Sequence, residues 1–416
     1  MNLLIVDSID FPFGGAHSVH VTLMMRGLRE NGENAFLIIP YGEKRKPINT
    51  GKLKYGRFDG VPYCFMRYNR KLVKGVRFLD ILAGVFQTAW LIYKRKKKTK
   101  VDGVIIGGIV DIIRDSPIIF ICWLLKVPIY FWLVEKASLS EDYRGIAGFL
   151  NYKSQQLSEK YLPKFASGLI VISFRLRTFY LNHISKDRIL ISPILVSTDI
   201  HKSIDWGRYD IVRNKLSAEY AGKRLLVYSG SFGEKDGVYT LIEAFSEVVK
   251  KYPETVFIMT GRGGTQELMN SVISHIEKYQ VTDKVRLVGF VDAEELLCYN
   301  SIADFLMVCR SDSPFANHGF PWKLGEYCMT GRPIISTRVS DIDVYFEDKK
   351  SLFIAEFNTA GAIADKVGYI FENFDLALVV ARSGQAVALE KFGYFQKAGE
   401  MSEFIQRNNI RAGIRA

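Results

Sequence analysis

The stretch Phe320-Pro321-Trp322-Lys323-Leu324-Gly325-Glu326-Tyr327-Cys328-Met329-Thr330-Gly331-Arg332-Pro333-Ile334-Ile335 constrains the fold more than any other part of this sequence. It reads as a loop, a short amphipathic helix, a glycine stop and a buried strand. Pro321 suits the start of the helix and Gly331 its end. Lys323 and Glu326 are three residues apart and share one helix face. A cation and a carboxylate at a helix N-terminus can serve an anion and a polyol together. Lys323 and the free N–H groups meet phosphate, and Glu326 accepts from sugar hydroxyls. The same residues also make an ordinary surface helix with an i,i+3 ion pair.

Elsewhere strand and helix patterns alternate in a βαβ manner, which argues for parallel sheets. Leu3 to Val6 and Ala35 to Ile39 read as strands around a helix from Val19 to Arg29. Val104 to Ile106, Ile129 to Val134, Gly168 to Ile172 and Ile189 to Pro193 continue the series. Pro117 to Leu125 is an apolar run broken by Lys126 and Pro128, and reads as a buried helix. Ser197 to Gly222 is polar and charged, and reads as the linker and entry to a second domain. A chain of 416 residues, 48% of them apolar, supplies two cores rather than one. The expected class is α/β: two doubly wound parallel-sheet domains, residues 1–200 and 201–396, with a cleft at the strand C-terminal ends.

The five cysteines (Cys64, Cys122, Cys298, Cys309, Cys328) lie scattered in apolar runs without a C-x-x-C pair. Reduced, buried thiols in a cytosolic protein follow from that usage. The start, Met1 to Asp7, reads as a core strand rather than a signal peptide. The net charge of +12 is densest at Lys94-Arg95-Lys96-Lys97-Lys98-Thr99-Lys100, directly after the apolar run Phe78 to Tyr93. Asp80 and Gln87 interrupt that run, which argues against a spanning helix. An apolar helix ending in basic residues suits an anionic inner-leaflet surface, through residues 78–100. It equally suits a core-packing helix whose C-terminal cations complement its dipole. No nucleic-acid module is visible.

The string FPWKLGEYCMTGRPII resembles the F-P-x-K-L-x-E-Y-x-x-x-G-x-P-[VI]-[VI] signature of family-4-like retaining glycosyltransferases of the GT-B fold. Other segments match in order. Gly14-Gly15 follows the first strand. Tyr228-Ser229-Gly230-Ser231-Phe232 leads to Gly237-Val238 and Leu241 to Phe245. Phe257 to Gly263 comes next, then Val285 to Val291. Each piece alone is a strand and a turn, and the order and spacing carry the resemblance, most strongly from residue 224 to 345. The resemblance implies the GT-B fold, two Rossmann-like domains, with the last helix (Lys397 to Ile410, within 397–416) packing back onto the first.

It also implies roles for particular residues. Gly14 and Gly15 approach donor phosphates and acceptor. Glu135 sits near the reacting sugar and the acceptor hydroxyl, where a carboxylate can bind or deprotonate; a loop salt bridge with Lys136 is the alternative. His17, Ser18 and His20 open a helix, where a histidine more often caps or packs. Val291 resembles the position whose backbone meets the base, and Gly261 and Arg262 approach base or ribose. Glu326 binds the ribose hydroxyls, while Gly319, Phe320 and Pro321 hold the donor sugar beside Leu324.

Three departures from the family pattern matter. His318 stands where the first Glu of E-x7-E is expected, Ser231 where an Arg is usual, and Asp236 where a Lys is usual, with Lys235 one position away. Lys323, and Lys235 with it, must then carry the leaving diphosphate. The implied function is a retaining transfer of sugar from a UDP- or GDP-type nucleotide-sugar to a glycan or lipid-linked acceptor, at the cytoplasmic face of a membrane. No metal is required, since Lys323 and helix N–H groups can stabilise the leaving charge. A non-catalytic sugar-nucleotide or glycan binder, or another GT-B enzyme such as a sugar-nucleotide epimerase, remains the alternative.

Overall fold

The computed structural model describes residues 1–12, 15–42, 55–68, 74–140, 143, 145–198, 205–262, 265–356, 358–411 and 413. The chain divides into two units. The first comprises Met1–Leu195, His318–Phe320 and Gly393–Ala416, and the second Val196–Asn317 and Pro321–Phe392.

The first unit is built on β1 (Asn2–Val6), β2 (Asn34–Gly42), β3 (Tyr55–Phe58), β4 (Val61–Tyr68), β5 (Gly103–Gly108), β6 (Ile129–Leu133), β7 (Gly168–Val171) and β8 (Ile189–Ile191). They form one sheet in the order β3-β4-β2-β1-β5-β6-β7-β8. All pairs are parallel except β3 with β4. Ile129-Tyr130-Phe131-Trp132-Leu133 is buried throughout, as a parallel strand covered on both faces requires. β1 pairs with β2 on one side and β5 on the other. The winding therefore reverses at β1, and the crevice for a ligand opens beyond the C-terminal ends of β1 and β5.

Helix α1 (Ala16–Glu30) carries the chain from β1 to β2 and buries Val21, Leu23, Met24, Met25 and Leu28. The last helix, Tyr394–Arg411, packs in the same unit. Its Phe395 carbonyl accepts from Asn31 Nδ2 at 2.9 Å, and Asn409 Nδ2 donates to the Asp102 carbonyl at 2.8 Å.

The second unit holds β9 (Arg224–Ser231), β10 (Thr255–Arg262), β11 (Val285–Gly289), β12 (Phe305–Val308), β13 (Ile334–Thr337) and β14 (Phe353–Ala355). Their order is β11-β10-β9-β12-β13-β14, all parallel. Leu226, Tyr228, Phe245, Phe257, Phe305 and Phe353 centre its core. Here the winding reverses between β9 and β12. Both domains are doubly wound, as the alternation of patterns implies.

The structure differs from the sequence reading in three places. The hairpin β3–β4 turns on Asp59-Gly60, both at positive φ, the Asp-Gly pair that a tight hairpin favours. The stretch read as a linker contains a helix, Trp206–Glu219, capped by Asp205, which accepts from Arg208 N at 3.1 Å. The third difference concerns α2 (Lys74–Lys98) and α3 (Ser116–Leu124). The buried helix expected at Pro117 to Leu125 is only half buried. Ile118, Ile119 and Cys122 face the core, while Phe120 is 59% and Trp123 68% exposed. An all-apolar run carries no polar face to say which side meets solvent. Likewise α2 buries Val85, Ala89 and Ile92 and turns Leu79, Phe86 and Trp90 outward. The Phe78 side chain lies outside the described set.

Candidate active site

The sheet reversal of the second unit gathers charge. β9 ends at Gly230-Ser231, and the chain turns through Glu234–Asp236 to Gly237, which caps the next helix at φ 65°. A Cβ on Gly237 would lie 2.0 Å from the Cys309 carbonyl oxygen, so only glycine lets this turn seat against the end of β12. Ser311 N–H donates to the Lys235 carbonyl at 3.0 Å, joining the two segments again. Gly261, paired with Gly230, is a second such position, because a Cβ there would meet the Gly230 oxygen at 1.8 Å.

Into this seat comes Lys323, the first residue of the helix Lys323–Met329. Its Nζ donates to Tyr228 Oη at 2.9 Å, lies 3.3 Å from Asp236 Oδ1 and stands 4.1 Å from the Tyr228 ring centroid. Asp236 Oδ2 accepts from Ser231 Oγ. Two of the departures from the family pattern, Ser231 and Asp236, therefore bind each other. Asp236 pairs with the lysine that the signature supplies. Burial works against the ionised Asp236, but Lys323 and Arg310 hold its carboxyl below the usual carboxylate range. Burial, opposed by Asp236 and reinforced by Arg310, holds the Lys323 ammonium below its usual value.

Glu326 lies one turn further along the same helix and keeps part of its surface exposed. Burial pushes its carboxyl up to about 7, against the pull of Lys323. The i,i+3 ion pair open to these residues does not form; Lys323 has Asp236 instead. Beneath them Tyr327 Oη accepts from Ser229 N–H at 2.7 Å, and Ser229 Oγ donates to Asn300 Oδ1 at 3.0 Å.

The remaining expected residues are spread around this seat or lie in the first unit. Leu324 is buried in the helix. Lys235 Nζ lies 4.8 Å from the Phe315 ring. Arg262 closes β10, with its side chain outside the described residues. Val291 sits half-buried between β11 and Asp292, which caps the next helix. Pro321 is buried in the second unit, whereas His318, Gly319 and Phe320 group with the first. There the His318 carbonyl accepts from Ser173 Oγ at 2.7 Å.

In the first unit Gly14 lies outside the described residues. Gly15 caps α1, its carbonyl accepting from Ser18 N–H at 2.9 Å. Glu135, half-buried, follows β6, and Lys136 lies over the Phe179 ring at 4.0 Å. His17 Nε2 is 2.8 Å from the buried carboxylate of Asp7, the residue after β1. Burial lowers the His17 pKa, but Asp7 and then Glu135 outweigh it and raise the imidazole above its ordinary value. His20 packs against Trp132 and is held well below its ordinary value by burial, then by His17.

Sequence reasoning missed Asp7 and Arg310. Both are charged residues placed directly after an apolar strand, Asp7 after β1 and Arg310 after Phe305–Cys309, where a doubly wound sheet presents its ligands. That placement was the available signal.

Residues 213–386 match the family model of glycosyl transferases group 1. A curated relative is the putative colanic acid biosynthesis glycosyltransferase WcaL of Escherichia coli K12, 28% identical over 157 residues, covering 37% of this chain. The match spans 38% of that relative's length. Among solved structures, Anabaena HepE in complex with UDP and glucose is 15% identical, covering 98% of this chain and 99% of that one, at a TM-score of 0.70. The catalytic domain of starch synthase IV from Arabidopsis thaliana, bound to ADP and acarbose, is 12% identical over 98% and 99% of the chains, at 0.73. The chain thus has the GT-B fold, and residues 213–386, nearly all within its second unit, are similar to glycosyl transferases group 1.

Proposed function

We propose that this protein is a retaining glycosyltransferase that moves a sugar from a UDP- or GDP-type donor to a glycan or lipid-linked acceptor in cell-envelope polysaccharide synthesis. The observation that carries the reading is the helix start at the second sheet reversal, where Lys323 and Glu326 stand within the group 1 match. Lys323 meets the leaving diphosphate, whose charge grows as the glycosidic bond to phosphate breaks. Glu326 accepts from the ribose hydroxyls. With the ammonium held in place beforehand, leaving-group stabilisation needs no rearrangement at the moment of reaction and requires no metal. The anomeric centre passes through an oxocarbenium-like state, and the departing phosphate oxygen takes the acceptor's proton. Glu135, beyond β6, orients the acceptor hydroxyl. The relatives named for colanic acid synthesis and for UDP and glucose binding support the substrate class.

A second part of the proposal concerns the outward face of α2 and α3. No helix among the described residues is long and apolar enough to cross a membrane. Phe86, Trp90, Phe120 and Ile121 instead line an open groove of about 410 Å³ beside the basic helix end Arg95-Lys96-Lys97-Lys98. We infer that this face rests on an anionic membrane surface and brings the enzyme to a lipid-linked acceptor.

Donor hydrolysis across a panel of nucleotide sugars, followed by NMR of the released anomer, tests the enzyme reading. Turnover of one donor class with the configuration kept is expected. Binding without turnover of any donor would leave a sugar-nucleotide binder, and an inverted product would overturn retention.

A further inference from the structure

The family pattern places two cations on the β9 side of the diphosphate, and here Ser231 and Asp236 replace them. Arg310 stands on the opposite side of the same sheet reversal, two residues past the end of β12. Its backbone is fixed from two directions. Thr337 Oγ1 donates to the Arg310 carbonyl at 2.8 Å, and Gly237 seats against Cys309 and Arg310. The side chain is only 6% exposed, yet its single hydrogen bond among the described residues is a 3.4 Å one from Nη1 to the Ala316 carbonyl. Nε has no partner there. The neighbouring carboxylate, Asp236, faces Lys323 with Oδ1 and accepts from Ser231 with Oδ2, and no hydrogen bond joins it to Arg310 among the described residues. A buried guanidinium left this poorly satisfied is costly, unless an anion completes it. Three cations, Lys323, Arg310 and Lys235, act on the one carboxylate, so the seat keeps an excess of positive charge.

We propose that Arg310 is the second cation of the leaving-diphosphate site, acting beside Lys323, and that Asp236 is the positioning residue that holds the Lys323 ammonium in place. This rests on the nucleotide-sugar reading above. Arg310 remains protonated throughout. The electron pair of the breaking bond between the anomeric carbon and phosphate oxygen settles on the diphosphate. The new bond forms to the acceptor oxygen, whose proton passes to that diphosphate. A guanidinium offers paired donors to two phosphate oxygens, which a lysine cannot, so Arg310 and Lys323 are not interchangeable.

Calorimetric titration with UDP and GDP, and with uridine and guanosine as diphosphate-free probes, tests this. Arg310→Gln should weaken the bound diphosphate by about ten- to hundredfold, the scale of a charge-assisted hydrogen bond, with nucleoside affinity kept. Arg310→Lys should recover part of the loss, and serves as the test if the glutamine variant fails to fold. Asp236→Asn should lower kcat more than it changes KM. Wild-type diphosphate affinity in both arginine variants would overturn the Arg310 assignment, as would an equal loss for nucleoside and diphosphate. A pure KM effect in Asp236→Asn would overturn the positioning role. If the wild type binds neither diphosphate, the nucleotide-sugar reading itself fails, and this proposal with it.

Discussion

The two sheets reverse their winding in the same way but are charged in opposite senses. At the reversal of the second sheet, Lys323, Arg310 and Lys235 surround one carboxylate, Asp236. At that of the first, Asp7 and Glu135 surround one imidazole, His17. A doubly wound sheet offers a ligand crevice at its reversal whatever the sequence, so side-chain charge decides what the crevice receives. A cation-rich seat suits diphosphate. A carboxylate–imidazole pair suits a hydroxyl, to which it can both donate and accept. The two reversals thus differ in the ligand chemistry they suit: an anion in the second unit, a hydroxyl in the first.

The largest expected effect breaks the cationic side. Lys323→Ala should lower kcat by about 10²–10³-fold while raising KM less, since the leaving charge grows toward the transition state. Steady-state kinetics decide, and a change in KM alone would make Lys323 a ground-state tether.

The next concerns the first unit's outer face. Replacing Lys96, Lys97 and Lys98 by Gln should remove about 3 kcal/mol of attraction to anionic vesicles, at about 1 kcal/mol per charge. Co-sedimentation should rise with anionic lipid and fall with salt. A wild type that stays in solution at low salt would reduce the basic run to a solvated helix end.

A smaller effect separates function from stability at Glu326. A carboxyl raised from 4.5 to about 7 contributes stability that is full below pH 4.5 and is lost as pH climbs through 7. Glu326→Gln does not titrate, and should exceed the unliganded wild type at pH 8 by about 1–2 kcal/mol, discounted for partial exposure. Thermal unfolding at pH 5 and pH 8 measures it. Equal melting temperatures at both pH values would mean that the carboxyl is solvated.

The smallest effect sharpens the anionic side. His17, faced by Asp7, Glu135 and His20, is raised above 6.5. The stability this gives is full below pH 6.5 and fades as pH rises through the raised value. Asp7→Asn should therefore lower the melting temperature more at pH 6 than at pH 9. A loss independent of pH would make the pair a neutral packing contact.

Much of the architecture was legible because apolar strand runs and punctuated helices repeat. Pro321 and Gly331 bracket the helix Lys323–Met329, and Gly331 takes φ 65° just beyond it. Ile129 to Leu133, apolar at every position, announces a strand buried on both faces. The Asp59-Gly60 pair is a turn signal of the same kind, and the β3–β4 hairpin turns on it. The orientation of α3 was not readable, because Phe120 and Trp123 differ from Ile119 and Cys122 only in where the neighbouring helix lies. Site partners were hidden for a related reason. Nothing in the spacing of Ser231, Asp236 and Lys323 says that they touch; that follows from the order of β9, β12 and the turn seated on Gly237. In the sequence Arg310 is an ordinary charge after a strand; only the fold buries it with Nε unpartnered among the described residues.

One titration reaches the nucleotide seat proposed for the second unit most directly. UDP and GDP should be measured calorimetrically against the wild type and Glu326→Ala, with circular dichroism confirming the same fold in both. The wild type should bind one of the two nucleotides. Glu326→Ala should weaken that binding by about 1–3 kcal/mol, the worth of a hydrogen bond to a charged group. Equal affinity in the two proteins would remove Glu326 from the site, and with it the reading of the helix Lys323–Met329 as the donor's anchor.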